Sequence, residues 1–176
     1  MSILDILKQY TDSSPKPAGE VLSHFDSVAQ QSVPATLAPG VAAALRSEAT
    51  PPLSELVSHL FSQSTPDQKA GVLNEILRSL GAAGLGTGGA DLVKRVLGSS
   101  ALPTSPVTPA QAAQVSPSDA GAFASTVQQQ DSSIVDRLGQ FYAQHPMLVK
   151  SLGVAALGIV MSHMSQQQGA SARPGV

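Results

Sequence analysis

The sequence predicts an all-α protein, a multi-helix bundle of short helices and helical hairpins joined by flexible Gly/Pro/Ser-rich linkers. Three observations predict it. Val, Ile, Leu and Phe recur at three- and four-residue spacing and never alternate over several positions, so strand signals are nearly absent. Ser/Thr-Pro pairs stand in front of several apolar stripes, which is the chemistry of a helix start. Glycine and proline separate the stripes from one another.

The elements follow in order. Residues Ser2–Tyr10 form a short amphipathic helix with Ile3, Leu4, Leu7 and Tyr10 on one side. After the Ser-Pro-Lys-Pro loop at 14–17, a helix from Ala18 to Gln31 gathers Val21, Leu22, Phe25, Val28 and Ala29 on one face. Pro34 opens another, running to about Glu48 and bent or restarted at Pro39, whose ring removes an interior hydrogen bond. Leu53–Ser64 carries the stripe Leu53, Leu56, Val57, Leu60 and Phe61. Thr65-Pro66-Asp67-Gln68 then begins a helix ending near Leu80, with Gly81 as its C-cap.

That start has a mechanism. Threonine at the N-cap satisfies exposed amides, proline at the first helical position has no N–H to leave unpaired, and glutamine at the third reaches back. Thr108-Pro109-Ala110-Gln111 repeats it, and Ser116-Pro117-Ser118-Asp119 is a variant with aspartate, so helices are expected to begin at 66, 109 and 117. Between them Gly81–Gly89 forms a joint, Ala90–Leu97 a short helix, and Gly98–Thr108 a second joint. Helices Pro117–Gln130, Asp131–Gln144 with Asp131 as cap, and Pro146 to about Gln166 complete the chain, before a disordered tail at 167–176.

The parts group into an N-terminal helical region at 1–97, a linker at 98–108 and a C-terminal helical unit at 109–166. Within the first, Glu20-Val-Leu-Ser-His24-Phe25 resembles Glu55-Leu-Val-Ser-His59-Leu60-Phe61. Each leads into a proline-started helix with a similar ending, Gly40-Val41 to Arg46-Ser47 and Gly71-Val72 to Arg78-Ser79. The expectation is a pair of tandem hairpins at 18–48 and 53–80, with chance similarity in a Ser- and Ala-rich chain as the alternative.

Bulk composition narrows the function. The chain has 176 residues, room for one ordinary domain or two very small ones. It is 42% hydrophobic but only 3% aromatic, and alanine supplies much of the apolar share, so the core is thin and marginal stability or oligomerisation is expected. Charged residues make up 12%, with a net charge of −2, and only Lys94-Arg95 are adjacent basic residues, which argues against nucleic acid as a partner. There is no cysteine, which excludes disulfide and thiolate chemistry and fits a cytoplasmic protein. The first residues carry an acid within their apolar run and no basic start, unlike a secretory signal.

Residues that could carry chemistry are few. Glu20/His24 and Glu55/His59 each place a carboxylate and an imidazole one helical turn apart, and two such helices facing each other could hold a divalent metal. Bundle carboxylate sites use Glu-x-x-His with further glutamates, which are missing here, so solvated pairs or helix packing is the preferred reading of these four. The run Gly84-Leu-Gly86-Thr-Gly88-Gly89 follows no strand and lacks the Gly-Lys-Ser/Thr of a phosphate loop, leaving a hinge or helix stop. No Gly-x-Ser-x-Gly elbow occurs; His145 before Pro146 ends one helix or caps the next, and His163 suits a helix C-terminus. No cofactor is implied, and no catalytic group is recognised.

Leu152–Met161 is an unbroken apolar run, too short for a membrane span of about 20 residues. Apolar all round, it is expected to be a central core helix, with contact to a second copy or partner and membrane insertion as alternatives. Gly153, Ala156 and Gly158 would permit close backbone approach, and Leu148, Leu152, Ala156 and Ile159 are the candidate interaction residues.

Three stretches, Val107-Thr-Pro-Ala-Gln-Ala-Ala-Gln-Val-Ser-Pro-Ser-Asp119, Asp131-Ser-Ser-Ile-Val-Asp136 and Phe141-Tyr-Ala-Gln-His-Pro-Met-Leu-Val-Lys-Ser-Leu-Gly153, together resemble the small Gly- and Ala-rich bacterial proteins related to YidB. The likeness is clearest over 107–164 and weaker over Leu4-Asp-Ile-Leu7 and Gly40-Val-Ala-Ala-Ala-Leu-Arg-Ser47. It implies a bacterial, helical, cytoplasmic protein and carries over no catalytic residue. The expected function is a non-enzymatic interaction or assembly protein, self-associating or binding another protein; a peripheral membrane protein using the last helix and residues 2–10 is the alternative, and a metal-binding protein the next.

Overall fold

Three hydroxyl-proline starts set the beginnings of three helices. In the structure, a computed structural model, the described residues are 2–10, 16–83, 93, 94, 98 and 106–171. Thr65 and Thr108 each form a reciprocal capping box: the threonine N–H donates to the glutamine Oε1 of Gln68 (2.9 Å) and Gln111 (3.0 Å), and the glutamine N–H returns a bond to the threonine Oγ1 at 3.4 Å. Ser116 accepts from the Asp119 N–H at 3.1 Å and donates its hydroxyl to the same carboxylate at 2.7 Å. Helices begin at Pro66, Pro109 and Pro117 as these caps dictate.

The described residues form ten helices and no strand: α1 Ile3–Lys8, α2 Ala18–Gln31, α3 Pro34–Arg46, α4 Leu53–Gln63, α5 Pro66–Ala83, α6 Pro109–Ala112, α7 Pro117–Gln130, α8 Ile134–Ala143, α9 Pro146–Lys150 and α10 Val154–Ser171. The chain is an all-α multi-helix bundle. The Gly84–Gly89 run, most of the expected helix at 90–97, most of the expected joint at 98–108 and residues 172–176 of the tail lie outside the described residues, whereas 167–171, expected to be disordered, continue α10.

Several boundaries differ from the sequence expectation, each for a local reason. Helix α3 runs through Pro39 without a restart, since the ring removes only the N–H that would reach the Ala35 carbonyl. Helix α5 passes Gly81 and continues to Ala83. Asp131 does not cap the following helix directly; its carboxylate accepts the Ser133 hydroxyl at 2.8 Å and the Ser133 N–H at 2.9 Å, a turn that delays α8 to Ile134. Those two bonds hold the Asp131 carboxyl below its ordinary range. The expected helix from 146 to 166 is two helices, parted at Gly153, whose φ of 91° is a left-handed conformation that suits glycine. In α1 the buried residues are Ile6, Leu7 and Tyr10, while Leu4 points outward at 54% exposure.

The helices pair across the chain. Helix α3 lies between α8 and α10, α4 packs on α7, α5 packs on α6, α7 and α8, and α10 is covered by α3, α2 and α1. The expected hairpins at 18–48 and 53–80 are therefore not the main packing units: α2 meets α10, α1 and α9, whereas α3 meets α8 and α10. Small residues explain the choice. A side chain at Gly139 would stand 2.9 Å from the Ala38 carbonyl and from Ala42, and one at Gly40 would stand 3.0 Å from the Val160 carbonyl, so both helix pairs meet nearly backbone to backbone. Chain segments on both sides of 98–108 contribute to one buried cluster. Asn74 ties the return of the chain onto α5, accepting the Val107 N–H at 2.7 Å and donating to the Val107 carbonyl at 3.3 Å.

The scarce aromatic bulk is concentrated inside. Phe25, Phe61, Phe123 and Tyr142 are fully buried, Tyr10 nearly so, and Phe141 packs at the edge. Helix α10 adds Ala156, Leu157, Val160, Met161 and Met164, which makes it a core helix.

Candidate functional site

The Glu/His pairs do not assemble. On α2, His24 Nδ1 lies 3.2 Å from the Tyr10 hydroxyl, with the two rings edge to face at 5.9 Å, so the imidazole serves the α1–α2 contact. On α4, His59 Nε2 donates to the Ser151 carbonyl at 2.9 Å, tying α4 to the turn between α9 and α10. Among the described residues no three His, Asp or Glu side chains gather as a metal would require. Glu55 and His59 do line one shallow hollow of about 290 Å³ together with Pro51, Leu56, Ser151 and Leu152.

The four candidate interaction residues divide. Leu148 and Ala156 are buried in the core, at 6% and 0% exposure, and are not free to meet a partner. Leu152 and Ile159 are only partly covered. Gly153 and Gly158 have no described atom within 4 Å of the position a Cβ would take, so the close approach in this region comes from Gly40 against Val160.

A larger concave surface lies where the sequence marked no candidate site residue, although Pro34 and Pro39 stood out as helix signals. Between the first half of α3 and the outer side of α8 is an open groove of about 550 Å³. Its α3 wall is Pro34, Ala35, Ala38 and Pro39; its α8 wall is Asp136, Gln140 and Gln144. The close crossing at Gly139 fixes the two walls. Because Pro39 has no N–H, the Ala35 carbonyl loses its partner four residues on, at a point where both residues line the groove.

The chemistry of this groove is amide and apolar. Asp136, its one ionisable lining residue, is held by Arg46 through two bonds of 2.9 and 2.7 Å. That pairing raises the Arg46 guanidinium above its ordinary value, chiefly through the hydrogen bond to Asp136. Gln140 and Gln144 are exposed, and their carboxamides offer donors and acceptors beside an alanine and proline surface. Pro39 inside a helix was the one available sequence signal, because an interior proline removes the N–H donor that would serve the carbonyl four residues earlier.

Two buried hydroxyls, those of Ser79 and Tyr142, have no hydrogen-bond partner among the described residues. Burial pushes the Tyr142 phenol well above its ordinary pKa. An unpaired buried hydroxyl opposes folding by roughly 1–3 kcal/mol, so Tyr142→Phe is expected to raise stability by about 1 kcal/mol in urea unfolding. A loss of stability would show that the hydroxyl is paired in solution.

No protein-family model matches the chain, and neither does any curated protein or any solved structure.

Proposed function

We propose that this chain is a non-enzymatic helical interaction protein whose contact surface is the groove between α3 and α8. One observation carries the reading: the groove presents alanine, proline and glutamine, with its single carboxylate already occupied by Arg46. Such a lining offers shape and amide hydrogen bonds to another polypeptide but no free acid, base or nucleophile. The proposal keeps the expected bacterial, cytoplasmic setting and the likeness to YidB-related proteins as part of the same reading.

The membrane alternative draws on two elements whose apolar residues are mostly turned into the core. Helix α10 buries Leu157, Val160 and Met161, and α1 buries Ile6, Leu7 and Tyr10. No helix of the described residues is long and apolar enough to cross a membrane. The metal alternative has only Glu55 and His59 in one hollow, with His59 already bonded to Ser151.

The test places a photo-activated cross-linking residue at Gln140, and as a control at Gln31, which is exposed on α2. A defined adduct from position 140 and not from 31, abolished by the groove-filling change Ala35→Arg, is the expected result. Its mass tells a second copy from a different protein. Equal labelling from both positions, or labelling indifferent to Ala35→Arg, would remove the groove from the account.

A further inference from the structure

The start of α5 and the elbow between α8 and α9 share one side-chain amide. Gln68 Oε1 accepts the Thr65 N–H at 2.9 Å, completing the capping box of α5. The other end of the same carboxamide, Gln68 Nε2, lies 3.2 Å from His145 Nδ1. A backbone N–H can only donate, so Thr65 fixes the carboxamide oxygen on its own side and turns the NH₂ toward the histidine. An NH₂ group can only donate as well. His145 Nδ1 must therefore accept, which requires a neutral imidazole carrying its proton on Nε2.

The ring is held in place for this role. Phe141 lies 4.9 Å from the imidazole, centroid to centroid, and its own ring occupies the space over Gly71 that a Cβ would need. His145 also leads into Pro146, the first residue of α9, so a change at the imidazole acts on the elbow itself.

We propose that Gln68 and His145 form a pH-sensitive latch, in which protonation of His145 breaks either the tie between the elbow and α5 or the cap of α5. A protonated Nδ1 sets donor against donor. Turning the carboxamide over satisfies the imidazolium but sets its NH₂ against the Thr65 N–H. The two bonds cannot both survive.

The surroundings supply no competing charge control. Of the charged groups on the neighbouring elements, Asp136 pairs with Arg46, Lys150 with Asp26, Glu75 with Arg78, and Lys69 lies over the Phe61 ring. Asp67, Arg137, Glu55 and His59 are the others on α5, α8 and α4, the last bonded to Ser151, while α2 and α10 add Glu20, His24 and His163 and α7 adds Asp119, which accepts the Ser116 hydroxyl. Burial alone lowers the His145 pKa. The sign follows: the folded state holds the proton less well than the unfolded chain, so the latch contributes stability above the ordinary imidazole value of about 6.5 and loses it as pH falls through the lower folded value.

The test is a titration of the full chain by NMR between about pH 8 and pH 5. The His145 ring is expected to titrate below the ordinary value, with the Thr65 backbone amide and the Gln68 side-chain amide moving at the same midpoint. Gln68→Glu places an acceptor on both sides, so the His145 midpoint should rise by about one pH unit or more, and the fall of melting temperature on acidification should shrink or reverse. A Thr65 amide that stays flat through the His145 transition, or a midpoint indifferent to Gln68→Glu, overturns the latch.

Discussion

Leu157→Ala is expected to lower the stability of the folded chain by about 3 kcal/mol, or roughly 6–12 °C in melting temperature for a protein of this size. Leu157 has 0% exposure in the first turn of α10, the helix that α1, α2 and α3 cover. Truncating a buried leucine removes its transfer free energy and leaves a cavity, together about 2–5 kcal/mol. Against a total stability of about 5–15 kcal/mol, and in a core short of large side chains, that is a severe loss. Ile159, only partly covered on the same helix, should lose less than about 1.5 kcal/mol when changed to Ala. Urea and thermal unfolding at two protein concentrations separate a core position from an interface. A core position gives the same loss at both; a loss that grows on dilution, or none, would move Leu157 to a contact between copies.

This experiment bears on function because the apolar run at 152–161 invited three readings from sequence. Composition shows that the segment must be covered but not by what, since a helix apolar all round has no marked face. The covering helices are α1, α2 and α3, more than 100 residues away in the chain, and nothing local specifies them. The same limit applies to the groove. Pro34, Ala35 and Pro39 line one groove with Gln140 and Gln144 only because Gly139 crosses Ala38 and Ala42, and that register is set by tertiary packing.

What could be read was what short-range chemistry decides. The starts at 66, 109 and 117 rest on bonds spanning three residues, and all three are present. The apolar stripes of α2 and α4 are buried through Val21, Phe25, Val28, Leu56, Val57, Leu60 and Phe61. Glu-x-x-x-His spacing gave the right side of each helix but no information on whether the two helices would meet. Gly153 was misjudged because a glycine in an apolar run looks like a packing residue, whereas its left-handed φ makes it a break. Gln68 was legible as a capping residue and not as the partner of His145, a residue 77 positions on.

Gly121→Ala is the second change with a large expected effect, and its sign opposes helix propensity. In an exposed helix interior, alanine in place of glycine stabilises by about 1 kcal/mol. Gly121 is a buried residue of α7, and an added methyl there would collide with the Ser54 carbonyl and the Ser58 hydroxyl of α4. The carbonyl is backbone and cannot turn away. The hydroxyl already donates to that same carbonyl at 2.7 Å, so moving it breaks a bond. The α4–α7 pair must then separate along its length, loosening Leu60, Phe61 and Phe123 together. Overpacking of this kind costs about 1–3 kcal/mol, and with a rigid neighbour the upper end applies, giving a net loss of about 2 kcal/mol after the propensity gain. Gly158→Ala is the matched control, since no described atom lies within 4 Å of its added methyl and it should gain about 0.5–1 kcal/mol. Unfolding curves in which both substitutions stabilise would mean that α4 and α7 do not approach at Gly121, and the packing of the whole α4–α7 face would have to be redrawn.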